Sequence, residues 1–509
     1  MNRQKQPSVL LIHPPVAKPA EPPAGITRLA GALRGNNIAC QLLDASVEGI
    51  LYLLNSPLPA DDTWSLRAIR NRAANIEALR SPGHYQNRDR YRRAVADLNR
   101  LLEIYGNDRN LTLSFSNYQD HELSPLKSSD LLRVAKKFEN NIFYPYFSER
   151  LRQLIAGNLP EMIGVSLNYL SQAQTTFAMV GFLKTNYPDL PIVMGGGLVT
   201  SWLSNLDWQN PFEELVDHLI AGPGEGPLLK LLGVEPGPSL LPPDLTDLPL
   251  DQYLSPGLIL PYGAASGCYW NRCSFCPEKA ENNPYLPLGN KRVRKELAGL
   301  IDHTKPALIH FLDNAISPSL LKDLAADPPG VNWYGFCRFE KLLADPEFCH
   351  SLKKSGCVMI KLGLESGDQT VLDKLDKGIN LKMVSIILNN LNAAGIATYI
   401  YLLFGTPAED YAAARRTLDF VVDHHDCITF LNLAIFNMPI ESPEAGHFAV
   451  RNSYDGDLSL YTEFQHPAGW NRKEVRSFLD REFKRHPIIA EIIRNDPPLF
   501  TSNHAPFFC

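Results

Sequence analysis

From Leu258 onward the chain alternates strand-type and helix-type patterns with a regularity that few folds accept. Apolar runs at Leu258–Ala265, Ala307–Leu312, Val331–Cys337, Val358–Leu364 and Ala397–Phe404, with a sixth at Ile428–Leu433, read as buried strands. Helical spacing fills the gaps over Lys291–His303, Lys341–Ser355, Lys382–Ala394 and Ala408–Val422. Gly395 fits the C-terminal stop of one helix, and Thr406, Pro407 and Glu409 predict a capping-box start for the next. Repeated strand–helix units imply a parallel sheet with its chemistry at the carboxyl ends of the strands. Five or six such units are too few for a closed eight-fold barrel.

The N-terminal half carries the same alternation with an interruption. Ser8–His13 reads as a buried parallel strand, Ile26–Arg34 as a helix opened by Pro22, Pro23 and Gly25, and Ile38–Leu43 as a second strand. This order predicts an α/β, doubly wound parallel (Rossmann-like) sheet over 1–233. Residues from about 50 to 155 break the pattern and read as a helical insertion, whose Arg88, Arg90, Arg92 and Arg93 suit a solvated helix face. The sheet resumes with strands at Met162–Leu167, Pro191–Met194 and His218–Ala221 and a helix from Ser171 to Asn186. Glycines follow two of these strands, at Gly195-Gly196-Gly197 and Gly222-Pro223-Gly224-Glu225, where a backbone can approach a ligand closely or simply turn. The proline-rich stretch 234–257 reads as a linker, 258–433 as the second domain, and 434–509 as an aromatic and polar cap.

Between the first two strands of the second domain lies Ser266 to Pro277, which holds Cys268, Cys273 and Cys276, a third of the chain's nine cysteines. Three soft ligands on one short loop suit a metal or an iron–sulfur cluster. Three are one short of the four that a structural zinc or an ordinary electron-transfer cluster takes, and a four-iron cluster on three thiolates keeps one iron open. A zinc site would draw a fourth ligand from His303, His310 or Cys337. His424, His425 and Cys427 read as an ordinary helix end before a strand.

The loop resembles that of the radical S-adenosylmethionine (SAM) superfamily, usually C-x3-C-x2-C with an aromatic just before the last cysteine. Phe275 fills that aromatic place, and the first gap here is x4. The resemblance implies a partial (β/α)6 TIM barrel, a 4Fe–4S cluster on Cys268, Cys273 and Cys276, and SAM cleaved to a 5′-deoxyadenosyl radical by one electron from an external reductant of flavodoxin or ferredoxin type. It implies SAM contacts at Phe275, at Asp313 and Asn314 (where the family uses Gly-Gly-Glu), at Arg338, at Glu365 and Ser366 in a Gly-x-Glu-Ser strand end, and at Gly405.

The N-terminal half resembles the cobalamin-binding domain that precedes the barrel in one branch of the superfamily. The matching residues are Leu10 to Pro15, the Pro23 and Gly25 helix start, Gly195-Gly196 and Gly222-Pro223-Gly224-Glu225. This implies cobalamin contacts at Gly195, Gly196, Gly224 and Glu225, and methylation of an unactivated carbon. The Asp-x-His-x-x-Gly motif of other cobalamin proteins is absent, and His13 reads as a strand-end residue. Without cobalamin the same chemistry serves rearrangement, cyclisation or oxidation.

Other classes stay open. Methylthiolation ranks low, because that family carries three further N-terminal cysteines and here that half offers Cys40. A zinc- or cluster-stabilised nucleic-acid-binding protein is disfavoured by a formal net charge of −6, from 49 basic and 55 acidic residues. A non-catalytic corrinoid carrier or sensor is a third alternative. No apolar run reaches the ~18 residues that span a membrane. The N-terminal Met-Asn-Arg-Gln-Lys-Gln does not read as a signal peptide, so unpaired cysteines point to a reducing cytoplasm.

Overall fold

The computed structural model describes residues 8–107, 109–205, 207–235, 241–452, 456–497 and 504–508. The N-terminal hexapeptide, Pro236–Leu240 of the proline-rich run, Asn503 and Cys509 lie outside the described residues. The chain divides into two compact units, one running to Leu258 and including 456–459, the other beginning at Ile259.

The first unit is built on a parallel sheet of β1 (Ser8–His13), β2 (Ala39–Asp44), β3 (Met162–Ser166), β4 (Ile192–Gly195) and β5 (His218–Leu219), in the spatial order β2-β1-β3-β4-β5. Every residue of β1 is buried, as its unbroken apolar run requires of a strand covered on both faces. Val9, Leu11, Ile26, Ala30, Leu33, Leu42, Leu228 and Leu248 form one of its core clusters. Strand order reverses between β1 and β3, and ligands of such sheets bind beside that reversal, outside the carboxyl ends. The stretch between β2 and β3 is mainly helical, with helices at Ala45–Asn55, Thr63–Arg80, Arg88–Asn107, Ser128–Lys136 and Tyr144–Gly157. Residues 241–257 form neither helix nor strand and run as a strap along this unit. Leu245, Leu248, Tyr253 and Leu254 are buried, Arg34 pairs with Asp244 at 2.7 Å, and the Tyr253 hydroxyl donates to Asp44 at 2.8 Å.

The second unit carries six parallel strands in sequential order: β6 (Ile259–Tyr262), β7 (Leu308–Phe311), β8 (Trp333–Cys337), β9 (Cys357–Glu365), β10 (Ala397–Phe404) and β11 (Phe430–Ile435). This is the partial barrel expected from the alternation. The register places His310 beside Tyr334, Phe336 beside Lys361, and Lys361 beside Tyr399, which sets one continuous inner face. Its lower part is apolar and aromatic, with Ile259, Leu308, Tyr334, Met359, Tyr399 and Phe430 closed by Ala505 and Phe508. The outer face packs Tyr262, Phe311 and Trp333 edge to face.

Two local expectations are corrected. Lys341–Ala344 is a 3-10 turn, and the helix proper is Pro346–Lys354, because Asp345 caps the Glu347 N–H and Pro346 takes the first helical position. The helix expected from Ala408 begins at Tyr411, where the Asp410 carboxylate accepts from the Ala413 N–H at 2.7 Å. Beyond β11 lie a three-stranded antiparallel sheet (Met438–Pro439, Val450–Asn452, Tyr461–Phe464) and helices at Arg472–Phe478 and Pro487–Arg494. Among the described residues, no helix is long and apolar enough to cross a membrane.

Candidate functional site

The cysteine loop leaves the sheet just after β6. Ala265–Ser266 pairs antiparallel with Leu286–Pro287, which ties the two ends of the excursion together. All three thiols are free. Cys273 is buried, and Cys268 and Cys276 are half-buried. Burial raises the Cys273 thiol above its ordinary range, while the charges of Lys377 and Arg338 pull the other way. Burial pushes Cys276 up to about 11. Among the described residues, no group of three or more His, Cys, Asp or Glu is placed to hold a metal ion. The donor set nevertheless fits a thiophilic cluster. Three unpaired thiols share nine residues of one loop, and two cations face the most buried of them.

Those cations come from just after β8 and from the turn after the helix Gln369–Lys374. Arg338 is 7% exposed. Its Nη1 lies 3.9 Å from Cys273 Sγ, Nη2 donates to the Lys377 carbonyl, and the guanidinium stacks on Trp270 at 4.2 Å. Its Nε is buried without a hydrogen bond, and Glu340 Oε1 stands 3.7 Å away. That inward donor is the kind of group an anionic ligand would satisfy. Lys377 Nζ donates to Glu365 Oε1 at 2.8 Å and lies 5.5 Å from the centre of the Phe275 ring.

The other sequence-predicted residues fall around this centre in different ways. Phe275 is half-buried and packs against Val371, Leu375 and Ala413 on one side and Phe436 and Met438 on another. Asp313 is buried and accepts from the Ala264 N–H at 3.0 Å, which ties the end of β7 to that of β6, while Asn314 is exposed. Glu365 ends β9 with φ +67 beside a bulge, so its carboxylate turns toward Lys377. Ser366 is fully buried, and its hydroxyl meets Thr417 Oγ1 at 3.2 Å and accepts from the Asp368 N–H at 3.1 Å, so it serves the turn. Gly405 has φ +81, and a Cβ there would lie 3.1 Å from Val475 of the C-terminal segment.

The metal-ligand alternatives are engaged elsewhere. His310 is buried on the inner face, stacked on Tyr334 at 4.3 Å with Lys361 Nζ 3.1 Å from its Nε2. Cys337 is buried and its thiol is raised far above the ordinary range by burial. His303 is exposed. His424 meets Ser385 Oγ at 2.8 Å, and His425 meets the Val422 carbonyl at 2.8 Å, as helix-end residues do.

In the first unit, Gly195 ends β4, Gly196 follows it with φ +109, and the Asn168 side chain after β3 accepts from the Gly197 N–H at 3.1 Å. Gly224 and Glu225, both half-buried, open the helix Glu225–Leu231, and the Gly222 N–H donates to Thr200 Oγ1 at 2.9 Å. His13 is buried at the end of β1, where burial lowers its pKa to about 4 and Gln172 Nε2 stands 3.3 Å from its Nε2.

Sequence reasoning missed Trp270, Lys377, Gly378 and Glu409. Trp270 lies within the cysteine loop, and Lys377 and Gly378 meet that loop across the fold, with no local motif to mark them. Glu409 was visible only as a capping residue.

No protein-family model matches the chain. A bacteriochlorophyllide d C-12(1)-methyltransferase of Chlorobaculum tepidum is 24% identical over 253 residues, which is 47% of this chain and 53% of that protein. Among solved structures, the cobalamin-dependent SAM radical enzyme OxsB with aqua-cobalamin and SAM bound superposes with a TM-score of 0.53 at 15% identity, over 82% of this chain and 52% of that one. The radical SAM methyltransferase TsrM from Kitasatospora setae, with cobalamin and a [4Fe-4S] cluster bound, gives 0.53 at 16% identity, over 92% and 85%. Apo OxsB gives 0.57 at 13% identity, over 94% and 67%. The chain thus spans about half the length of the methyltransferase and of liganded OxsB. With its Rossmann-type sheet, its six-stranded partial barrel and a cysteine loop at the head of that barrel, the chain has the fold of the cobalamin-dependent radical SAM enzymes.

Proposed function

We propose that this chain is a radical SAM enzyme that methylates an unactivated carbon with the help of cobalamin. The observation that carries the reading is the cysteine loop: three free thiols at the carboxyl end of a parallel barrel strand, with Arg338 and Lys377 facing Cys273. In this reading Cys268, Cys273 and Cys276 hold a 4Fe–4S cluster, and Gly195, Gly196, Gly224 and Glu225 line the cobalamin edge of the first unit. When bound, the cluster supplies the electron that cleaves SAM to a 5′-deoxyadenosyl radical, and cobalamin supplies the methyl group.

The remaining work falls to the chain's own side chains. Arg338 and Lys377 oppose the cost of thiolate formation in a buried loop. The unbonded Arg338 Nε suits the carboxylate of SAM, while Asp313, Asn314 and Glu365 offer acceptors to its ammonium and hydroxyl groups. Phe275, Ser366 and Gly405 shape the surrounding wall. A closed inner face keeps water from a carbon radical, and the packed floor of Tyr399, Phe430 and Phe508 contributes to that. The reading divides the chain into a cobalamin-binding domain (1–233), a linker (234–257), the barrel (258–433) and a cap (434–509). It adds a reducing cytoplasm and an external one-electron donor of flavodoxin or ferredoxin type. The methyltransferase relative and TsrM favour methylation over rearrangement or oxidation.

The test is anaerobic reconstitution with iron, sulfide and hydroxocobalamin, for the wild type and for Cys268→Ala, Cys273→Ala and Cys276→Ala. The expected result is about four iron and matching sulfide per chain, lost in each variant, with a stoichiometric corrin absorbance retained after gel filtration. Bound zinc without labile sulfide would favour a structural metal site. A cluster without corrin would move the reaction to rearrangement or oxidation.

A further inference from the structure

We infer that Leu375–Gly378 is a cradle that fixes the cysteine loop in its long form, with Trp270 as the positioning residue. The inference rests on the cluster reading above and extends it to residues outside the ligand set. The gap between Cys268 and Cys273 is x4, so the loop must store one residue more than the x3 pattern. It does so at Tyr269–Arg272, where Asn271 takes the left-handed conformation with φ +43. The side chain that this turn projects is Trp270. Two guanidiniums lie over its ring, Arg338 at 4.2 Å and Arg272 at 4.9 Å, and its Nε1 donates to the Asp376 carbonyl at 3.0 Å.

Each residue of the cradle bears on the loop, directly or through Arg338. The Leu375 carbonyl accepts from the Ser274 N–H at 3.0 Å. The Asp376 carboxylate takes both arms of Arg272, at 3.0 and 2.9 Å. The Lys377 carbonyl accepts from Arg338, whose other arm reaches Cys273. Gly378 lies under the indole, where a Cβ would fall 2.1 Å from Trp270 Cζ2, at φ +68. No side chain fits between the cradle and the ring, so glycine is required on two counts. The Arg272–Asp376 pair is half-exposed and weak alone. The buried stack on Arg338 and the seat at Gly378 carry the positioning.

Gly378→Val fills the seat without touching a thiol. Trp270→Ala empties it, and Trp270→Phe keeps a ring in it. In the reconstituted protein, Gly378→Val and Trp270→Ala are expected to lose iron to a chelator about 10–100-fold faster than wild type and to change the electron paramagnetic resonance spectrum of the reduced cluster, with Trp270→Phe close to wild type. Wild-type lifetime and spectrum in both disruptive variants would overturn the cradle. A second readout needs no cluster. In the apo-protein, trypsin is expected to spare the Arg272–Cys273 bond in wild type and to cut it in Gly378→Val, with the far-UV circular dichroism of the two alike. Equal cutting rates would overturn the cradle, whereas a wild type that spares the bond but takes no iron would sink the cluster reading alone.

Discussion

Lys377 and Glu365 are each less than a tenth exposed and lie 2.8 Å apart. Removing two charges from water costs several kcal/mol per ion, and their attraction offsets that cost only while both are present. Lys377→Met is therefore expected to lower unfolding free energy by about 3–5 kcal/mol in urea titration, and adding Glu365→Gln to recover much of it. A loss below ~1 kcal/mol in the single variant would show that the pair is solvated. Glu365 was legible in the sequence, because Leu-Gly-Leu-Glu-Ser ends a strand with a carboxylate where barrel chemistry sits. Lys377 was not. It follows a helix in a polar turn, and only the fold brings it back to the strand end. Asp313 and Ser366 were legible as positions but not as contacts, since the bonds they make to Ala264, Thr417 and Asp368 depend on neighbouring strands and helices.

The turn between β10 and its following helix shows the same division. Thr406, Pro407 and Glu409 have the composition of a helix start, yet the cap is Asp410. Glu409 instead turns inward, where Oε2 accepts from the Gly405 N–H at 2.6 Å and from Trp470 Nε1 at 2.9 Å, and Oε1 is buried without a partner. Burial pushes its pKa up to about 7, against the two hydrogen bonds that lower it. The folded state thus binds this proton more tightly than the unfolded chain does. Its contribution is complete below the ordinary glutamate range and is lost as pH rises through about 7. The melting temperature of wild type is expected to fall relative to Glu409→Gln between pH 5 and pH 8. Parallel pH profiles would show that Glu409 is charged throughout. Strands of the two parallel sheets were readable to within a residue or two because they are continuous apolar runs, except that the first barrel strand, expected to Ala265, ends at Tyr262, where Ala265–Ser266 pairs instead with Leu286–Pro287. The antiparallel strands at Met438–Pro439, Val450–Asn452 and Tyr461–Phe464 were not, since runs of two to four residues carry no usable period.

Across the molecule, the two parallel sheets have different topologies. The first reverses its strand order and offers a crevice at the reversal. The second runs β6 to β11 in sequence and curls about an inner face. Both were legible because strand–helix alternation dictates parallel pairing. The cysteine loop was legible as three soft ligands on one short stretch. How the loop is held was invisible, because Trp270, Arg338 and Gly378 meet only through the fold. The decisive measurement is 5′-deoxyadenosine release from SAM by the reconstituted protein under dithionite, in wild type and in Cys273→Ala. The account predicts release by wild type and none above background in the variant. A wild type that holds its full cluster and leaves SAM intact would contradict it.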